Sequence, residues 1–359
     1  VAAVVLWQGA ALRHRPRGIH LLGTMWDAVW YLDIARHGYA HGLPPSRPHH
    51  RWSNLAFFPL YPYAIRAAHA VLPFPAWPSA ALLVAWAASL VAAWGVFAAT
   101  AVRYGRRVAA LTAVLWGLLP VSVVEDAAYS ESLFTALAAW CLWAVLTRRW
   151  LTAGALALLA GVTRPTGVAV AAAVAVAGTV EALRLLRTGR PAAWRPLAAA
   201  MAAPLGWLGF VAWVGARLHR WDGYFQVQRR WGSVFDFGHR TAQDLWRLFG
   251  TGKPVLLGQV LVACVLLAYV VAWLVALAHR QPLPFLVLST ALMVIAFGDA
   301  AQFSSRARFL LPAFPLLIPV AAGLARIRNR LALAAVLLGA AGFSALSGAY
   351  LVYAFASPP

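Results

Sequence analysis

The feature that most restricts this chain is a ladder of apolar runs broken by short, arginine-rich links. The runs cover residues 1–12, 79–102, 108–124, 132–147, 150–163, 166–183, 196–216, 254–278, 283–298, 309–325 and 331–354. A helix needs about 20 apolar residues to cross the hydrocarbon of a bilayer. Lipid cannot satisfy an open backbone, so segments that cross it one at a time do so as helices. Composition agrees, with 62% apolar and 11% charged residues where a soluble domain carries about 25% charged. The expectation is an all-α polytopic membrane protein, a single transmembrane domain over residues 1–359 with about eleven helices. The run Val1–Leu12 is short for a span, which leads to the expectation that further residues precede it. No cleavage-site pattern follows it and more spans do, so it is not read as a signal peptide.

The links sort the runs onto two faces. With the segment after the first run placed outside, the short inner links are Arg103–Arg107, Arg148–Arg149, Arg184–Arg195, His279–Gln281 and Arg326–Arg330, and they hold thirteen arginines. The short outer links, Glu125–Glu131, Thr163–Thr166 and Gly298–Arg308, hold three. Short loops rich in Arg stay cytoplasmic, so the split gives an expected orientation in the plasma membrane. The net charge of +20 then belongs to loops that meet membrane lipids. A nucleic-acid binder gathers its basic residues on one soluble face. Here they are dispersed between apolar blocks, and nucleic acid is not an expected partner. Cys141 and Cys264 each lie in an apolar run and are read as buried small hydrophobes rather than a disulfide or metal pair.

Two outer segments exceed a turn, Arg13–Pro78 and Arg217–Lys253, and long loops in a compact fold usually carry function. The first contains two amphipathic, aromatic-rich stretches, Trp26–Tyr39 and Ala56–Leu72. Aromatic rings favour headgroup depth, so both stretches are expected to lie as helices on the outer interface. Acids concentrate on the same side. Asp27, Asp33, Glu125, Asp126, Glu131, Asp222, Asp236, Asp244 and Asp299 fall outside, and Glu181 alone lies near the inner face. Positive-inside selection accounts for part of this; the remainder points to an ionisable site at the outer face.

On a helix begun near Trp26, Asp27, Tyr31 and Ile34 share a face while Asp33 points away. A carboxylate at a helix start gains from the dipole, so Asp27 alone reads equally well as an N-terminal cap. Its context changes that balance. The segments Trp26–Tyr39 with Ala56–Pro62, Ala127–Phe134, Thr163–Gly167 and Arg308–Pro312 resemble, in order, the signature segments of the PIG-V-type family. That family is the GPI mannosyltransferase II-like group of the GT-C glycosyltransferases and includes bacterial relatives. The matching segments are spread from about residue 24 to residue 320.

The resemblance implies a GT-C-type bundle and a glycosyltransferase that moves mannose, with inversion, from polyprenyl-phosphate mannose. The acceptor would be a glycolipid, a lipoglycan or a protein. It implies Asp27 as general base, taking the proton of the acceptor hydroxyl as that oxygen attacks the anomeric carbon. Substrate contacts are expected from Trp26, Tyr31, His37, Tyr129, Glu131, Arg164, Arg306 and Arg308. The arginines suit a departing phosphate, which they can hold with charge-assisted, bidentate bonds. No cofactor is expected, and no metal: His41, His49 and His50 lack a ligand spacing such as His-Glu-x-x-His. Gln226, Gln228 and Trp231 in the second long segment could cover the acceptor. Blander roles stand beside these. The arginines could snorkel to lipid phosphates, and Glu125, Asp126 and Glu131 could cap helices. Another polyprenyl-linked sugar is the nearest rival donor. A flippase would show mid-helix charges and symmetric halves, and the sequence has neither.

Overall fold

The computed structural model describes residues 18–44, 52–72, 76–250, 256–300 and 302–354. The run 1–12, His49, His50 and Lys253 lie outside these residues. Among the described residues all regular structure is helical, with one isolated bridge between Phe235 and Asp299.

Three short helices come first: α1 (Gly18–Thr24), α2 (Ala28–His37) and α3 (Leu60–Val71). The longest reaches about 18 Å, well short of the ~30 Å of bilayer hydrocarbon. Their apolar faces bind them to one another and to the long helices. The Tyr31 ring meets Tyr61 edge-on at 5.0 Å, the Tyr61 hydroxyl donates to the Ala81 carbonyl at 2.9 Å, and Arg66 Nε donates to the Ala35 carbonyl at 2.9 Å.

The next helix, α4 (Trp77–Gly117), takes up two apolar runs at once. The expected link between them is a single turn-making residue, Gly105, at φ +78°. Glycine adopts this left-handed conformation at little steric cost, so the chain redirects there without a loop. Exposed Arg103, Arg106 and Arg107 flank the turn. There follow α5 (Val123–Asp126), α6 (Glu131–Leu146), α7 (Trp150–Gly161), α8 (Gly167–Arg187), α9 (Trp194–Ala202) and α10 (Leu205–Arg217). The second long segment folds as α11 (Gly223–Trp231) and α12 (His239–Gly250). The chain continues through α13 (Leu257–Ala278), α14 (Leu283–Gly298), α15 (Arg306–Phe309), α16 (Ile318–Leu324) and α17 (Arg330–Tyr353).

Among the described residues five stretches are long and apolar enough to cross a membrane: α4, α8, Pro191–Arg217, α13 and α17. A sixth arises if the pair Phe303–Phe309 and Phe314–Leu324, bent by 80°, counts as one span. The run 309–325 breaks there because Pro312, Pro315 and Pro319 remove backbone donors and interrupt a helix. Helices α6, α7 and α14 are apolar but shorter, at 10–17 residues. The multi-pass helical architecture is therefore as expected, while length alone supports five or six crossings. Small residues let these helices approach closely: a Cβ on Gly178 of α8 would stand 2.6 Å from the Pro196 carbonyl of α9. Cys141 is buried as expected, but Cys264 is exposed. It sits on the outward side of α13, beside a cavity of about 310 Å³ shared with Leu261 and Val265, where a small apolar side chain has no core to fill.

Candidate active site

The site begins with a backbone constraint. Trp26 lies in the left-handed region at φ +49°, a conformation that costs a bulky residue about 1–3 kcal/mol and persists only where the surroundings hold it. They do so on both sides. The Ala128 amide donates to the Leu22 carbonyl at 2.8 Å, and the Asp27 amide donates to the Tyr129 hydroxyl at 3.1 Å. The bend at Trp26 starts α2 with Asp27 at its cap position, yet the Asp27 carboxylate makes no capping hydrogen bond. It is turned away, and Asp27 Oδ2 pairs with Arg308 Nη1 at 2.7 Å.

Arg308 opens a chain of alternating charge. Its Nε lies 3.7 Å from Glu131 Oε1, and its guanidinium stands 5.4 Å from the centre of the Tyr129 ring. Glu131 in turn pairs through Oε2 with Arg164 Nη1. Arg164 donates to Ser130 Oγ at 3.2 Å, and Ser130 shares a 2.6 Å hydrogen bond with the Tyr31 hydroxyl. Four separate parts of the chain therefore meet at one point: α2, the start of α6, the turn before α8, and α15. Burying such pairs costs several kcal/mol per ion in desolvation, so their retention marks the cluster as a functional candidate. Exposure ranks its members. Asp27 is 17% exposed and Arg308 9%, while Arg164 is at 8% and Glu131 at 1%. Asp27 is the more exposed of the two acids in the cluster. Burial drives the phenols of Tyr31 and Tyr129 above their ordinary range, so both remain neutral hydrogen-bonding groups beside it.

Glu125 lies behind the cluster, in α5, and accepts from Ser132 Oγ at 2.6 Å. Burial pushes its carboxyl up to about 8, against the opposing Ser132 hydrogen bond. The folded state thus holds the Glu125 proton more tightly than the unfolded chain does. Its contribution to stability is complete below the ordinary carboxylate range and is lost as pH rises toward 8. Glu125→Gln should remove this dependence. Thermal melting of the two proteins should diverge between pH 5 and 8 in favour of the variant, and parallel melting curves would show Glu125 to be ionised in the fold.

The remaining expected contacts are placed differently. Trp26 is half-buried against the main core. Arg306 is fully buried but does not join the cluster. It donates to Thr241 Oγ1 and to the Asp299 carbonyl at 3.0 Å, holding α12 against the end of α14. His37 pairs with Asp33 at 3.0 Å on the exposed side of α2. Sequence reasoning missed Ser130, whose hydroxyl joins Tyr31 to Arg164; its place inside the Tyr-Ser-Glu motif was the available signal. His41 Nδ1 lies 3.3 Å from Arg217, and among the described residues no group of three His, Cys, Asp or Glu could hold a metal ion. A part-exposed carboxylate paired with Arg308 can accept a proton, and Arg308, with Arg164 beyond Glu131, offers planar cations that suit a phosphate.

No curated protein matches the chain by sequence. Among solved structures, the chain is similar to ArnT from Cupriavidus metallidurans bound to undecaprenyl phosphate, at 15% identity and a TM-score of 0.55, over 99% of this chain and 75% of that one. It is also similar to the Archaeoglobus fulgidus oligosaccharyltransferase tethered with an acceptor peptide, at 14% identity and a TM-score of 0.46, over 92% of this chain and 51% of that one. At such identities a likeness speaks only for the fold, and the TM-score of the first supports a GT-C-like bundle. The family model described as mannosyltransferase (PIG-V) matches residues 19–192. That stretch contains Asp27, Tyr129, Glu131 and Arg164 and every resembling segment but the one at Arg308–Pro312. The resemblance read from those segments has this match beside it: over residues 19–192 the chain is similar to the mannosyltransferase (PIG-V) family.

Proposed function

We propose that the chain transfers mannose from polyprenyl-phosphate mannose, crosses the plasma membrane about eleven times and works on its extracytoplasmic face. The observation that carries this reading is the accessible Asp27 carboxylate, 2.7 Å from Arg308 and next to the Glu131–Arg164 pair. The acceptor is a glycolipid, a lipoglycan or a protein bearing a free hydroxyl. Its oxygen attacks the anomeric carbon while Asp27 takes the proton. The bond from that carbon to the phosphate oxygen breaks on the opposite face, its electron pair leaves with the polyprenyl phosphate, and the configuration inverts. Arg308 and Arg164 hold the departing phosphate. A phosphate on Arg308 competes with Asp27 for the same guanidinium, so donor binding loosens the base as the substrate arrives. The carrier brings the sugar from the bilayer, and no nucleotide site is needed. The undecaprenyl phosphate bound to the ArnT neighbour supports a polyprenyl phosphate as carrier.

The deciding experiment supplies the purified protein in proteoliposomes with polyprenyl-phosphate mannose and, separately, with carriers of other sugars. A mannosylated product is expected. Transfer of another sugar alone would change the donor, and carrier movement across the bilayer without a new glycosidic bond would make the protein a flippase. Sidedness has its own test. In intact cells a cysteine replacing Trp221 should react with an impermeant reagent and one replacing Thr188 should not; the reverse would invert the orientation.

A further inference from the structure

Resting on the transferase reading, we propose that the acceptor is a glycan, whose sugar rings stack on Trp30, Trp52 and Trp231 and whose hydroxyls meet Asp33 and His37. The Trp231 indole, at the end of α11, lies edge-on to Trp30 at 5.2 Å and to Phe57 at 5.4 Å. It stacks on Trp52 with ring centres 5.6 Å apart and planes at 25°. Trp30 stacks on Phe57 at 6.0 Å. The rings come from three separate stretches of chain, yet backbone contacts fix them. Trp231 Nε1 donates to the Ser53 carbonyl at 3.1 Å. Arg230 donates to the Pro44 carbonyl at 2.7 Å and Arg217 to the Ala40 carbonyl at 2.8 Å, tying the second long segment to the first. The surface is therefore formed before any ligand arrives, which spares the ligand the cost of ordering it. It is also open: Trp52 is 46% exposed.

This surface is continuous with the base. Phe57 meets Tyr31 edge-on at 5.1 Å, and Trp30 stands three residues beyond Asp27 on α2. Trp30, Asp33 and His37 follow an i, i+3, i+7 spacing and share one face of that helix. Asp33 Oδ1 pairs with His37 Nδ1 at 3.0 Å, and Asp33 Oδ2 accepts from Asn54 Nδ2 at 2.9 Å, two residues beyond Trp52. Aromatic faces bordered by a carboxylate and an imidazole match a pyranose, which has an apolar C–H face and an edge of hydroxyls. A lipid tail would leave the Asp33–His37 pair unused, and the Asp33 carboxylate repels a phosphate headgroup. From Asp27 to His37 the helix rises about 15 Å, room for sugar beyond the ring that reacts.

The test titrates the full chain in nanodiscs with short manno-oligosaccharides, read by saturation transfer to the sugar ring protons. Undecaprenyl phosphate is titrated separately. Wild type should bind the sugars saturably. Trp52→Ala and Trp231→Ala should weaken that binding about five- to tenfold, and Trp52→Phe should restore most of it. Asp33→Asn should weaken it as well, and every variant should keep wild-type undecaprenyl phosphate binding, which also reports on folding. Sugar binding unchanged in all variants would place the acceptor elsewhere. If wild type bound undecaprenyl phosphate but no sugar, the glycan assignment would fail while the donor reading stood. Binding of neither would overturn the donor reading itself.

Discussion

Asp27→Asn is expected to lower single-turnover sugar transfer by at least about two orders of magnitude, the usual lower range for losing general-base assistance. Asparagine keeps the size of the side chain and an oxygen for Arg308, but it cannot take a proton. Donor binding should survive, because Arg308 loses a competing carboxylate and becomes more available to phosphate. The signature is a collapse of kcat with donor KM unchanged or lowered. Asp33→Asn serves as the contrast. Asp33 sits on another face of α2, so its replacement should raise acceptor KM with a much smaller effect on kcat. Near-normal turnover by Asp27→Asn, at equal thermal stability, would leave Asp27 as only a counter-ion for Arg308. Glu131 would be the next candidate base.

Loss of Arg308 should be the most damaging single change to both stability and donor use. Arg308→Ala leaves Asp27 and Glu131 without their shared cation, and removing one partner of a buried pair costs about 3–5 kcal/mol. Losing a charged hydrogen bond to the phosphate should weaken donor use by a further ~1.5–3 kcal/mol. The two losses separate in a second variant. Arg308→Met with Asp27→Asn removes both members of the 2.7 Å pair and should recover much of the melting temperature while donor binding stays weak. Arg308→Lys keeps the charge without the planar fork and should rescue donor use only in part. Wild-type donor kinetics in Arg308→Ala would move the phosphate site elsewhere, with Arg164 the first place to look.

The contrast between Arg308 and Arg306 shows how far the sequence can be read. Both stand in one short outer link and both carry a charge suited to phosphate, so composition treats them alike. On a helical turn, however, residues two apart point about 200° away from each other. One faces Asp27 and Glu131; the other enters the contact between α12 and α14. His37 departs for the same reason, because ten positions along α2 bring it to the Trp30 and Asp33 face rather than that of Asp27. The apolar runs were legible because lipid imposes length and polarity directly on the sequence. The number of crossings was less so, since runs flow through prolines and through Gly105 without a change in composition. Asp27 was singled out through its segment, whereas the side chains it meets depend on tertiary contacts between distant parts of the chain. No periodicity reports those contacts.

Arg308 also has a place in time. Asp27, Glu131 and Arg164 all leave the ribosome before Arg308, which comes with α15. Early helices can settle in the membrane before the later ones are made, and at that stage Asp27 has no guanidinium opposite it. The cation that pairs with Asp27 is therefore delivered after the rest of the cluster, by a bent and proline-rich segment. On the proposed mechanism, competence to transfer sugar depends on the late insertion of α15 and α16 as much as on the segments before them. A nascent chain stalled just before Arg308 should already thread the bilayer with its earlier helices, and it should remain inert.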